Sequence, residues 1–329
     1  MVKGFEMVRL VKSLARSFGV EIRRIPPDRV DSVTRINGLL GRIAELERQV
    51  LAFQNVANGA DTGTSSKESD IESLRAENQR IAAQLGEEQT FRHIRKQDAI
   101  EIESMLRMLA LPKLPERKGR ENALTNLLGT TVSEALYVTD ALHRGLKVPG
   151  AVCEFGVAQG ATSRLIAEEI MATDRQYYLF DSFEGLPPPT EKDRLIDDIF
   201  NLGAMEAYTG SMRSPEIEVL TKLADVGFPS ERTHIMKGWV SDTLARPDAP
   251  KQVAFAYVDF DFYEPILDAL RYLDAHTQVG ASIVVDDYGF FSEGAQLATD
   301  EFVAEAAPRW KLTKPLSCAG YFVVLDKVA

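Results

Sequence analysis

Three aspartates close two apolar runs. Asp259 follows Ala256-Tyr257-Val258, and Asp286 and Asp287 follow Ile283-Val284-Val285. Short apolar runs that end in a carboxylate read as buried strands delivering charge to one rim of a sheet. If these strands are neighbours, the three carboxylates converge, and like charges packed together raise one another's pKa. A hard divalent cation removes that conflict, and an all-oxygen ligand set suits Mg2+. Such a cation lowers the pKa of a hydroxyl, and an adjacent carboxylate takes the proton. Asp259, Asp286 and Asp287 are therefore the candidate metal ligands, with Asp259 also the candidate base. Asp261 alternates with Asp259, so a continuing strand turns it to the opposite face, in a supporting role. A purely structural role for all of these strand-end aspartates is the alternative.

A second constellation lies upstream, in Cys153-Glu154-Phe155-Gly156-Val157-Ala158-Gln159-Gly160-Ala161-Thr162-Ser163. An acidic residue and two glycines between a strand and a helix mark a tight turn whose backbone comes close to a cofactor. The candidate contacts in this loop are Glu154, Gly156, Val157, Gly160 and Ser163. The next strand ends in Leu179-Phe180-Asp181, where the carboxylate is placed to accept from ribose hydroxyls. A dinucleotide fingerprint requires G-x-G-x-x-G. Here Ala158 stands where its second glycine belongs, which favours a cofactor without a pyrophosphate, such as S-adenosylmethionine.

These residues need a scaffold. From about residue 122 the chain alternates apolar runs with helical patterns: Ala151–Gly156, Tyr177–Phe180, His234–Met236, Val253–Val258, Ser282–Val285 and Tyr321–Leu325. That alternation means an α/β domain, a parallel sheet covered by helices on both faces.

Five segments occur in a familiar order: Glu154-Phe-Gly-Val-Ala-Gln-Gly-Ala-Thr-Ser163, Asp181-Ser-Phe-Glu-Gly-Leu-Pro187, Lys237-Gly-Trp-Val-Ser-Asp-Thr243, Val258-Asp-Phe-Asp-Phe-Tyr-Glu264 and Val285-Asp-Asp-Tyr-Gly289. Together they resemble the macrocin O-methyltransferase family (TylF-type), which methylates sugar hydroxyls. The resemblance implies a class I methyltransferase fold, Rossmann-like with a mostly parallel seven-stranded sheet, binding S-adenosylmethionine and Mg2+. It implies Glu154, Gly156, Asp181 and Ser182 at the cofactor, with Trp239 and Asp242 near the adenine or bracing the site. The chain departs from the family at Pro265-Ile266 and at Ala158-Gln159, neither of which touches the three aspartates. Pro187 to Ser214 reads as a lid or substrate wall.

The N-terminal third has another texture. Residues 1–30 carry a net charge of +4 within a chain of net charge -11, and Val8, Val11, Leu14, Ala15 and Phe18 recur at helical spacing before Pro26-Pro27. This is a basic amphipathic helix that docks on protein or lies on an anionic membrane. In 31–111, Ile36, Leu39, Ile43, Leu46, Val50 and Phe53, then Ile71, Leu74, Asn78, Ile81 and Leu85, follow the a/d steps of a coiled coil, interrupted by a polar break from Asn58 to Lys67. It forms a homo-oligomer or an antiparallel hairpin within one chain. A linker (112–121) then leads to the domain at 122–329, and the coil suggests docking to a glycan-assembly complex.

The acidic charge argues against nucleic acid as a partner. Two cysteines give neither a disulfide framework nor a zinc site. No apolar run approaches the ~20 residues of a membrane span. A cytoplasmic protein is expected, peripheral at the inner membrane face if the basic helix binds there. His93, His143, His234 and His276 are scattered and read as structural. The leading expectation is methylation of a hydroxyl on a sugar, sugar nucleotide or glycan. The rival is a coiled-coil scaffold carrying a degenerate enzyme domain.

Overall fold

The computed structural model describes residues 39–50 and 64–329. The expected basic helix (1–30), Ile36, Phe53 and most of the polar break lie outside the described residues. Two compact units are present, divided between Glu101 and Ile102.

In the first unit, residues 39–50 are helical, and helix α1 (Thr64–Leu109) runs through it, its last turns from Ile102 belonging to the second unit. Arg42 Nη2 reaches Glu77 Oε1 at 2.8 Å, so the 39–50 helix lies beside α1 within one chain. An exposed pair of this kind adds little stability, but it fixes adjacency. Leu46 and Ile81 of the a/d pattern are buried. Phe91, Ile94 and Ile100 of α1 remain exposed. Among the described residues, no helix is long and apolar enough to cross a membrane.

The second unit holds helices α2 (Arg120–Leu124) and α3 (Val132–Gly145), then β1 (Ala151–Phe155), α4 (Ala161–Ile170), β2 (Tyr177–Asp181), α5 (Glu216–Asp225), β3 (Thr233–Lys237), α6 (Val240–Thr243), β4 (Val253–Val258), α7 (Tyr263–His276), β5 (Thr277–Val285), α8 (Glu293–Ala306), β6 (Trp310–Thr313) and β7 (Val323–Lys327). The seven strands form one sheet in the order β3-β2-β1-β4-β5-β7-β6. β1 to β5 run parallel, and β7 is antiparallel to both β5 and β6. This is the mostly parallel sheet that the resemblance implies. Every residue of β1 and β4 is buried, because helices cover both faces of a parallel sheet. Phe155 stacks on Phe180 across β1 and β2 at 4.4 Å between centroids, both buried in the core.

The register positions the site. Phe180, Phe155, Val258 and Val285 pair in one row across β2, β1, β4 and β5. The residues after that row are Asp181, Gly156, Asp259 and Asp286, so four separated sequence positions share one rim. The strand order reverses between β1 and β4, which opens a ligand crevice at the carboxyl ends of these strands.

Candidate active site

The chain leaves β4 at Val258, so the alternation rule stops applying before Asp261. Asp261 adopts φ 63 and Asp287 φ 55, both in the left-handed region. Such a conformation costs a side-chain-bearing residue about 1–2 kcal/mol, and aspartate tolerates it better than most. The turn at Asp261 brings its carboxylate back toward Asp259. One oxygen from each of Asp259, Asp261 and Asp287 lies within 4.8 Å of the others. The supporting position expected for Asp261 therefore differs from the one observed, because the strand ends before it.

Asp286 faces differently. Its Oδ2 accepts from the Tyr257 hydroxyl at 2.8 Å, and its Oδ1 accepts from the Asp287 N–H at 2.8 Å. The same hydroxyl lies 2.9 Å from Glu134 Oε1 and 3.4 Å from Asp259 Oδ2. Glu134 and Tyr257 are buried. Neither was singled out in the sequence. The signal for Glu134 is misleading: Thr131-Val-Ser-Glu134 has the form of a capping box, and Thr131 Oγ1 does accept from the Glu134 N–H at 3.1 Å. The Glu134 side chain turns inward instead.

Burial first, and neighbouring negative charge second, push these carboxyls upward. Asp259 is held well above the usual range by burial and then by Asp286 and Asp287. Asp287 is raised well above it by burial, Asp286 and Asp261. Asp261 is pushed up to about 7 by burial and then Asp259. Burial also raises Asp286, and burial with the charge of Asp286 raises Glu134. A concentrated all-oxygen carboxylate site fits a hard divalent cation, which would relieve the shared charge.

On the other side of the crevice, Glu154 is fully buried, and its Oε2 accepts from the Tyr177 hydroxyl. Its Oε1 and the buried Ser163 Oγ have no hydrogen-bond partner. Burial raises the Glu154 carboxyl to about 8, against the lowering hydrogen bond from Tyr177. These two orphaned polar atoms beside the glycine loop fit a bound group that brings its own polar atoms. Asp181 is more occupied than expected. Its Oδ2 accepts from the N–H groups of Val157 (2.7 Å) and Ala158 (3.1 Å), and its Oδ1 from that of Phe183 (2.6 Å). A carboxylate has about four acceptor positions, so about one remains for a ribose hydroxyl. Ser182 Oγ accepts from the Glu184 N–H at 3.1 Å and braces the same turn. Trp239 precedes α6 and stays 40% exposed on the β3 side, with Asp242 in the helix behind it.

Gly156, at φ 85, links the two halves. A Cβ there would lie 1.8 Å from the Asp259 carbonyl oxygen. The close approach that requires glycine is thus to the strand end bearing Asp259. Gly160, at φ 77, turns the loop into α4.

The profile of the macrocin O-methyltransferase (TylF) family matches residues 137–323 and takes in this whole rim. The chain belongs to that family. It is 30% identical over 145 residues to 8-demethyl-8-(2,3-dimethoxy-alpha-L-rhamnosyl)-tetracenomycin-C 4'-O-methyltransferase of Streptomyces olivaceus, covering 43% of this chain and 54% of that one. It is 30% identical over 157 residues to mycinamicin III 3''-O-methyltransferase of Micromonospora griseorubida, covering 46% of this chain and 59% of that one. The chain thus spans a little over half the length of these relatives. The structure of the O-methyltransferase NovP superposes with a TM-score of 0.52 at 22% identity, covering 70% of this chain and 99% of that one. The domain has the class I methyltransferase fold that the TylF resemblance implied.

Proposed function

We propose that the chain is an S-adenosylmethionine- and Mg2+-dependent O-methyltransferase acting on a hydroxyl of a sugar, sugar nucleotide or glycosylated natural product. The observation that carries this reading is the convergence of Asp259, Asp261 and Asp287 beside the β1/β4 crevice of a TylF-family domain. The relatives named for methylation of glycosylated compounds support the acceptor class.

When bound, the cation supplies charge that lowers the pKa of an acceptor hydroxyl, and S-adenosylmethionine supplies the methyl group. The protein does the rest. Asp259, Asp261 and Asp287 hold the cation, and Asp286 braces them from behind. The sequence assigned the base to Asp259. Asp261, which shares the cluster, is hydrogen-bonded to Asp287, so we keep Asp259 as the group that takes the acceptor proton. Glu154, Gly156, Val157, Gly160 and Ser163 receive the cofactor in the glycine loop. Asp181 and Ser182 keep that loop closed, and Trp239 flanks it.

We further propose the division 1–30, 31–111, 112–121 and 122–329, with the helical region as an assembly element. The exposed Phe91 and Ile94 support self-association. Sedimentation of a chain starting at Leu114 is expected to show a smaller species than the full chain. For the enzyme, calorimetric titration with S-adenosylmethionine and methyl transfer to a panel of rhamnosides and other glycosides, with and without EDTA, test the reading. Binding and EDTA-sensitive transfer are expected. Absence of cofactor binding sinks the enzyme assignment, and full activity in EDTA sinks the metal.

A further inference from the structure

The β5–α8 loop and the start of β7 meet beside the aspartates. Val285 pairs with Val323, so the residues just before β7 stand on the same rim as Asp286 and Asp287. The Tyr288 N–H donates to the Tyr321 carbonyl at 2.6 Å, and the Phe290 N–H donates to the Asp287 carbonyl at 3.2 Å. These bonds fix both segments against Asp287. Phe290 and Tyr321 then stack, with centroids 5.1 Å apart and planes at 20°. Phe290 also packs on the buried cluster of Leu186, Met205, Tyr208, Phe262 and Phe291, which anchors it from beneath. Tyr321 remains 57% exposed. A tyrosine backed by a fixed ring, with its own surface open, is an aromatic platform held at low entropic cost.

Its place along the sheet matters. The cofactor candidates stand over β2 and β1, the aspartate cluster over β4 and β5, and this platform over β5 and β7. Neighbouring strands are about 5 Å apart, so the platform lies roughly one strand spacing beyond Asp287, on the side away from the cofactor. In an in-line transfer the attacking oxygen and the departing sulfur lie on opposite sides of the methyl carbon, so the acceptor stands on the side of the methyl group away from the cofactor. The acceptor's own ring therefore extends over β5 and β7 once its hydroxyl is at the cluster.

We infer that Tyr321, backed by Phe290, is the subsite that receives the acceptor's pyranose ring by stacking against its C–H face. The inference rests on the reading of the chain as a hydroxyl methyltransferase and adds the residue that orients the sugar. An aromatic face presents partial negative charge toward the C–H groups of a pyranose.

The test is saturation-transfer NMR on the full chain with methyl α-L-rhamnopyranoside and methyl β-D-glucopyranoside as probes, in the presence of S-adenosylhomocysteine and Mg2+. The wild type is expected to transfer saturation to ring C–H protons of at least one probe. Tyr321→Ala should weaken that probe about tenfold, and Tyr321→Trp should retain it. S-adenosylhomocysteine affinity and Tm should stay at wild-type values in both variants, because Tyr321 is exposed and away from the glycine loop. Unchanged probe binding in Tyr321→Ala overturns the subsite, as does absence of transfer from the wild type to both probes. Neither result touches the enzyme assignment, which stands or falls on cofactor binding and EDTA-sensitive methyl transfer.

Discussion

The Tyr257 hydroxyl sits 2.8 Å from Asp286 Oδ2, at the back of the carboxylate cluster, with Glu134 2.9 Å away on its other side. A phenol has one proton to give, so it cannot serve two charged carboxylates. Burial and the charge of Asp286 raise Glu134, which favours its neutral form, and a neutral Glu134 would satisfy the row Glu134, Tyr257, Asp286. Tyr257→Phe should remove the bond to Asp286 and destabilise the protein by about 1.5–3 kcal/mol. Groups behind a metal's ligands typically change affinity about 10- to 100-fold, so Mn2+ binding followed by electron paramagnetic resonance should weaken into that range. Glu134→Gln, which mimics the neutral acid, should bind Mn2+ like the wild type, whereas Glu134→Ala should not. Equal binding by Tyr257→Phe and wild type would show that Asp286 needs no brace.

The cluster geometry separates four aspartates that look alike in the sequence. Asp261→Asn and Asp287→Asn should each lose Mg2+ binding in calorimetry and lower methyl transfer by at least about 10²-fold, with S-adenosylmethionine affinity retained. Asp286→Asn should weaken Mg2+ less than Asp287→Asn, since Asp286 is outside the group whose oxygens lie within 4.8 Å. A larger loss of affinity at Asp286 than at Asp261 would return the ligand set to the one expected from the sequence.

Those contrasts mark where the sequence stops being informative. The parallel strands were legible because burial on both faces makes them unbroken apolar runs, as in Val253–Val258. β6 was not such a run: Trp310-Lys-Leu-Thr313 alternates, as an edge strand does, with Lys311 and Thr313 exposed. Asp259 and Asp287 were legible as strand-end carboxylates. The place of Asp261 was not, because it depends on a left-handed turn that the residue type permits without dictating. Glu134 was masked by a local capping pattern, and its inward rotamer is set by Tyr257, 123 residues away. Asp181 was found at the right strand end, but most of its acceptor capacity goes to backbone N–H groups of the loop it faces.

The raised carboxyls make a signed prediction for the cation-free protein. Asp261 at about 7 lies above the ordinary value of 3.8, so between those values the folded state binds more protons than the unfolded state. Stability then falls as pH rises through that window. Asp259 and Asp287, raised well above the same ordinary value, add to that fall. Differential scanning calorimetry in EDTA should show Tm declining from pH 5 to 8 relative to Asp261→Asn. Mg2+ should raise Tm most at the upper end, because it binds the ionised cluster. A cation-free Tm that rises across this range faster in the wild type than in Asp261→Asn would contradict the burial of these groups.

A second charged network, around Glu169 in the last turn of α4, has the opposite pH sign. Arg120 is fully buried and grips Glu169 through both oxygens, Nε to Oε1 at 2.7 Å and Nη2 to Oε2 at 3.0 Å, while Nη1 reaches Glu103 at 2.7 Å. Arg117 Nε and His143 Nε2 complete the shell around Glu169 at 2.7 and 2.8 Å. The network ties the last turns of α1 to α4, the helix that begins at the glycine loop. Burial alone would raise Glu169, but the bonds from His143 and Arg120 and the charges of Arg120 and Arg117 hold it at about 2. Its folded value is below its ordinary 4.5, so its contribution is present above that value and is lost as pH falls toward 2. Removing one partner from a buried ion pair is expensive, because the other charge stays buried without it. Arg120→Ala should therefore lower stability by about 3–5 kcal/mol near neutral pH, read as a lower urea midpoint with an unchanged m-value. In this variant Glu169 keeps only Arg117 and His143, its pKa rises, and the acid-side loss of stability should begin at higher pH than in the wild type. A wild-type urea midpoint in Arg120→Ala, or an acid limb that does not move, would show that the network leaves α1 and α4 energetically uncoupled.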